Sequence, residues 1–228
     1  MLFKILLPLV ILSVVAARTQ LNNCLDDDKY CLGLPRGCLG PQCIVAYSSK
    51  SNGTHTEIEI LGTNILDKTW LGIAYSADKE MKDDIVVYCI RDDQVNELQE
   101  MAGIAYNTDH KNEMIGSAAA VRKNPKKDRF NLNLNVEQYD KNDKGLYCKM
   151  THRVDTIMEH FNMTSVEILI AKGVFIRNAI TYHGKTRNHV GLVDLSGEKK
   201  KTPKKSAFST TTLLSTAFTF LFAKMIFV

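Results

Sequence analysis

No G-x-S-x-G elbow occurs in the 228 residues, and the 13 glycines are scattered singly instead of gathering into a phosphate-cradling turn. The first absence removes the strained serine of the α/β-hydrolases; the second removes the P-loop and the dinucleotide fingerprint. Close C-x₂-C pairs are missing too. The early cysteines run C-x₆-C-x₆-C-x₄-C, which does not suit a structural zinc site. The acidic clusters Asp26, Asp27, Asp28 and Asp83, Asp84 lack the D-x-D-x-D-G spacing of a calcium loop and are expected to be solvated. Charge of neither sign dominates. The formal net charge is +4, much of it from lysines in 199–205, so no nucleic-acid partner is expected. There is no internal repeat, and helical candidates are few: 94–101 and 154–161, each a turn or two.

The two ends carry the long apolar runs. Residues 1–17 have one charge at Lys4, an apolar stretch over 5–15, and small Ala16 and Ala17 before Arg18. This is the pattern of a secretory signal peptide cut after Ala17. Residues 213–228 form a second apolar segment, with Lys199, Lys200, Lys201, Lys204 and Lys205 upstream of it. After a cleaved signal peptide those lysines would be lumenal, against the positive-inside tendency. A lipid-anchor (GPI) signal is therefore expected ahead of a transmembrane helix, with Ser196–Gly197 or Ser206–Ala207 as attachment sites. Residues 196–212 read as a basic stalk. The expected location is the extracellular face of the plasma membrane, held by lipid or a single helix.

In that oxidising compartment an even set of six cysteines predicts disulfides. Cys89 and Cys148 each sit inside a strand-like run and are expected to pair; Cys24, Cys31, Cys38 and Cys43 then pair among themselves. Two sequons, at Asn52 and Asn162, predict a glycoprotein.

Between the ends the dominant period is two. RFNLNLNVEQY puts Phe130, Leu132, Leu134 and Val136 on one face and Asn131, Asn133 and Asn135 on the other, the pattern of a half-buried strand. Further strands are expected at 44–47, 56–61, 69–76, 85–91, 117–122, 146–154 and 166–175, several separated by turn signals. The predicted fold class is all-β: an antiparallel, two-sheet, Ig-like β-sandwich over 24–195 with a disulfide-rich N-terminal segment.

Three segments stand out together: CLDDDKYCLGLPRGCLGPQC at the start, WLGIAYSADKEMKDDIVVYC at 70–89, and AKGVFIRNAITYHGKTR at 171–187. In combination they resemble the DOMON domain of ferric-chelate reductase-like proteins. The resemblance implies a β-sandwich that, in cytochrome-type members, holds b-type haem between a methionine and a histidine. Carried onto this sequence, those axial ligands are Met81 and His183. A thioether opposite an imidazole gives six-coordinate iron suited to electron transfer. Lys82 stands where related domains commonly carry glycine. His152 shares parity with Leu146, Cys148 and Met150 and is a rival ligand or a hydrogen-bonded core side chain; His160 and His189 are expected to be exposed. The implied function is a membrane-anchored extracellular haem domain relaying single electrons to a redox partner, not an autonomous enzyme. The alternative is a haem-free module that binds a sugar or other small ligand, mediates adhesion, or serves as an auxiliary subunit of a membrane complex.

Overall fold

The computed structural model describes residues 21, 29–108, 111–143, 145–157 and 161–197. Cys24, Asp26, Asp27, Asp28, His160, the expected signal peptide, the apolar tail and nearly all of the expected stalk lie outside them. Among the described residues no helix is long and apolar enough to cross a membrane.

Twelve strands are present among the described residues: β1 (Tyr30–Leu34), β2 (Val45–Ser51), β3 (His55–Thr63), β4 (Thr69–Ser76), β5 (Ile85–Arg91), β6 (Ala102–Asn107), β7 (Asn112–Ser117), β8 (Asn135–Lys141), β9 (Gly145–Arg153), β10 (Val166–Ile176), β11 (Ala179–Ile180) and β12 (Arg187–Val193). The smaller sheet has the order β1-β2-β3-β9-β8. The larger runs β11-β10-β4-β5-β6-β7, with β12 also paired to β10. Each pairing is antiparallel. The chain is thus the all-β sandwich that its period of two predicts.

Between the sheets, Val45, Tyr47, Ile58, Ile60, Met150 and Cys148 of the smaller sheet meet Leu71, Ile73, Tyr75, Ile85 and Val87 of the larger. The Cys89–Cys148 disulfide joins β5 to β9 and so staples one sheet to the other. Its ends are separated by 59 residues, and closing so long a loop limits the unfolded chain by about 4 kcal/mol on an entropic account. Cys38 pairs with Cys43, and Cys31 is disulfide-bonded as well.

Two segments depart from the expected pattern. Residues 117–122, read as a strand, instead turn into a helix, α1 (Ala118–Lys123). Ser117 ends β7 and caps that helix, its Oγ accepting from the Ala120 N–H at 3.1 Å, and three successive alanines are strong helix formers. The second departure is at 130–134, which joins no ladder until β8 begins. Asn131 and Asn133 adopt φ of 51° and 50°, a left-handed conformation that asparagine tolerates better than most residues. Phe130, Leu132, Leu134 and Val136 are still buried, so the alternation reports burial correctly without reporting a strand. The first helical candidate shrinks to a single 3₁₀ turn, Leu98–Glu100; in the second, Asp155–Ile157 forms a 3₁₀ turn, and 158–160 lie outside the described residues.

An apolar cleft beside a cationic groove

A two-layer sandwich has to bury only one face of each sheet, yet every one of the eight residues of β4 is buried. Leu71, Ile73 and Tyr75 point into the core; Trp70 and Ala74 belong to a second apolar cluster on the outer face of the larger sheet. Val86, Tyr88 and Ile90 of β5 and Leu169, Ala171 and Phe175 of β10 complete that cluster. This is the physical content of the near-continuous apolar runs WLGIAY and IVVYCI: both faces of the strands are covered.

The cover is made of loops. Met81 comes from the β4–β5 connection, is half-buried, and packs on the outer cluster. His183 comes from the stretch between β11 and β12 and is also half-buried. Both border one cleft, together with Trp70, Gly72, Ala74, Asn112, Leu169 and Ile180. Two hydrogen bonds hold this stretch down. Trp70 Nε1 donates to the Thr181 carbonyl at 3.2 Å, and Asn112 Nδ2 donates to the Ile180 carbonyl at 3.4 Å.

His183 has a defined tautomer. Its Nδ1 lies 3.1 Å from the Gly184 carbonyl; a carbonyl only accepts, so Nδ1 carries the proton and the Nε2 lone pair is available. Backbone fixing of one ring nitrogen is the usual preparation of the other as a ligand. Burial, with a contribution from the Arg187 charge, lowers the His183 pKa and so favours the neutral ring that a ligand must be.

The donor set suits haem iron, and the cleft wall is apolar. The enclosed space is about 20 Å³, because the Trp70 indole lies across the sheet face: a Cβ at Gly173 would stand 2.6 Å from its Nε1, and one at Gly72 would stand 3.1 Å from the same ring. Next to the cleft, and sharing Met81 and Leu169 with it, is a polar groove of about 570 Å³ bordered by Lys79, Glu80, Lys82, Arg187, Asn188 and His189.

One open alternative is resolved and two expectations about individual side chains change. His152 is the hydrogen-bonded core residue and not a ligand: it is 1% exposed, with Tyr75 Oη 2.7 Å from Nε2 and the Arg153 carbonyl 2.7 Å from Nδ1. His189, expected on the surface, is half-buried and paired through Nε2 with Glu167. Asp84, expected to be solvated, is fully buried, and neither of its carboxylate oxygens has a hydrogen-bond partner. Burial, with smaller contributions from Asp78 and Asp83, raises its pKa to about 7, against weaker opposing pulls from the nearby polar side chains of Ser76 and Asn107. Asp83 beside it is exposed as expected. Asn52 and Asn162, the asparagines of the two sequons, are both exposed.

Sequence reasoning passed over Trp70, Asn112 and Arg187 as site residues. The signal for the first was present in the doubly buried β4 run. Nothing local marked the other two, which reach the site only through the pairings of β7 and β12.

No family profile matches the chain. An uncharacterized protein of Caenorhabditis elegans, C44B7.5, is 54% identical over 230 residues, spanning 100% of this chain and 97% of that protein. Among solved structures, the cytochrome domain of Myriococcum thermophilum cellobiose dehydrogenase aligns with a TM-score of 0.40 and 6% identity, over 65% of this chain and 73% of that one. That likeness is too distant to assign a ligand.

Proposed function

The chain belongs to the family of the Caenorhabditis elegans protein C44B7.5, and we propose for it the role of a DOMON-like extracellular domain that binds b-type haem on the outer face of its larger sheet and relays single electrons. The observation that carries this reading is the meeting of Met81 and His183 at one apolar cleft from connections far apart in the chain. The chain's own residues hold the thioether against the outer cluster, tie Nδ1 of His183 to the Gly184 carbonyl, and keep Nε2 unprotonated. A haem bound there supplies a reversible one-electron centre. Entry of a macrocycle requires Trp70 and the segment after β11 to move outward, since the closed cleft has room for little more than one water.

The reading includes a secretory destination and attachment to the extracellular face of a membrane through the C-terminal tail. Disulfides Cys38–Cys43 and Cys89–Cys148 support the oxidising compartment.

Haemin added to the purified full-length protein tests the proposal. A Soret band of a six-coordinate low-spin species, lost in Met81→Ala and in His183→Ala, is expected. An unshifted haemin spectrum, or a Soret band that survives in the double variant, overturns it. The Trp70 indole filling the cleft favours a second reading, a haem-free ligand-binding or adhesion module, and the unshifted spectrum is the outcome that reading requires.

A further inference from the structure

Positive charge is concentrated in one short segment of the fold. Residues 122–129, RKNPKKDR, hold five basic side chains against one acid, a formal net charge of +4 that equals the net charge of all 228 residues. Elsewhere in 18–198 acids outnumber bases. The segment closes α1 and continues into a 3₁₀ turn, Pro125–Lys127. All five basic residues are exposed. The one acid, Asp128, is turned inward: it is 7% exposed, and its Oδ2 accepts from the Asn133 N–H at 2.9 Å.

The five cations are not equally engaged. Arg129 pairs with Glu113 at 3.3 Å, and its guanidinium stands 4.4 Å from the centre of the Tyr106 ring. Arg122 donates to Gln99 Oε1 at 3.2 Å and to Asn135 Oδ1 at 2.7 Å, two neutral acceptors that fix the group and leave its charge uncompensated. Lys123, Lys126 and Lys127 make no ion pair and no side-chain hydrogen bond among the described residues. The main chain beneath them is held. The Lys127 N–H donates to the Asn124 carbonyl at 2.9 Å and the Asp128 N–H to the Pro125 carbonyl at 3.0 Å, while Val121 and Phe130 are buried on either side. Four uncompensated charges are thus presented on a fixed backbone, which lowers the ordering cost of binding.

A surface of this kind fits a polyanion. What it lacks decides which one. The apolar neighbours Val121 and Phe130 are buried, so the segment offers no wedge to insert below the headgroups of a membrane. No aromatic residue stands among the lysines to stack on bases, as single-stranded nucleic-acid binders require. We propose that Arg122, Lys123, Lys126 and Lys127 form a docking surface for a sulfated polysaccharide. Its repeated, permanently charged sulfates call for neither feature, and lysine ammonium groups meet them as point charges. The choice accords with the secretory destination proposed above. None of the four residues borders the cleft or its neighbouring groove, so the surface is independent of haem.

Binding of the full-length protein to immobilised heparin tests the proposal. Wild type is expected to bind, and Lys123→Gln/Lys126→Gln/Lys127→Gln to bind about tenfold more weakly with unchanged thermal melting, its substitutions being at exposed side chains. Each lysine that meets a sulfate releases a counterion, so the slope of log K against log salt is expected to flatten by about two in that variant. Lys123→Arg/Lys126→Arg/Lys127→Arg keeps the charge and is expected to bind as wild type does. The lysines of 199–205 are the rival source of heparin binding; replacing all five by glutamine is expected to leave the affinity within about threefold of wild type. Desulfated heparin is expected not to compete. The proposal is overturned by no binding in wild type, by a glutamine triple variant that binds as wild type does, or by loss of binding in the 199–205 variant instead. Tighter binding to phosphatidylserine vesicles or to a single-stranded oligonucleotide than to heparin overturns it as well.

Discussion

The indole Nε1 of Trp70 donates to the main-chain carbonyl of Thr181 at 3.2 Å. One hydrogen bond thereby ties the first residues of β4 to the segment that presents His183 two residues later. The ring also lies over Gly173 of β10, the partner of Trp70 in the β4–β10 ladder. A glycine is required there because no Cβ fits beneath the indole.

Gly173→Ala tests that relationship. The new Cβ would stand 2.6 Å from Trp70 Nε1 and 2.9 Å from its Cε2, so the ring must leave its place and the bond to Thr181 must break. Overpacking of this kind costs about 1–3 kcal/mol. A lower denaturant midpoint with a red-shifted tryptophan emission is expected. Emission and midpoint both equal to wild type would show that the indole is not seated on Gly173.

His152 gives the fold an acid-sensitive element. Its ring is buried between the sheets, and burial, partly offset by the Arg153 carbonyl, lowers its pKa to about 4. In the unfolded chain a histidine takes its proton near pH 6.5. Between those values the unfolded state binds more protons than the folded state, so stability falls as pH drops from about 6.5 toward 4. The full loss is about 3 kcal/mol. Denaturant titrations at pH 7 and pH 4.5 should show that the wild type loses more stability than His152→Asn over the same interval. Parallel losses in the two proteins would remove His152 as the cause.

Asp84 acts with the opposite sign over an overlapping range. Its folded pKa, about 7, is above the 3.8 of an ordinary aspartate, so in that interval the folded state holds a proton that the unfolded state has released. Stability falls as pH rises from about 4 to 7, and the cost of the buried charge is fully present above 7. Asp84→Asn is nearly isosteric and is expected to raise the denaturant midpoint at pH 8 and to leave it almost unchanged at pH 4. An equal shift at both pH values would mean that ionisation is not the source of the effect. Because Asp84 and His152 oppose each other, the wild-type profile between pH 4 and 7 is expected to be flatter than that of either variant.

Much of the scaffold was legible in the sequence. β4 and β5 fall at 69–76 and 85–91, the bounds that their apolar runs and turn signals mark, and Cys89 and Cys148 pair as their places in strands imply. β1, β6, β7, β11 and β12 were not read. Their residues, such as AGIAYN and NEMIGS, show no strict alternation; pairing with β2, β5, β6 and β10 holds them as strands. The alternation at 130–136 was read as one strand because burial at every second residue is shared by a strand and by an irregular segment with left-handed asparagines. The acidic pair was half legible. Asp83 stays in water, but Asp84 is carried under the sheet edge by the start of β5, and composition does not distinguish the two.

By itself the sequence determined the class of the fold and its inter-sheet disulfide, since a period of two and the placement of cysteines in strands are local properties of the chain. Through a resemblance it also named Met81 and His183. What only the tertiary structure decided is that these two border one cleft, that Trp70 fills its floor, and that a polar groove bordered by Arg187 and Lys79 adjoins it. The reason is topological: the cleft exists only because β10 lies between β4 and β12, which brings the 77–84 loop against residues more than a hundred positions further along the chain. Proximity of that kind comes from strand pairing and leaves no mark in local sequence.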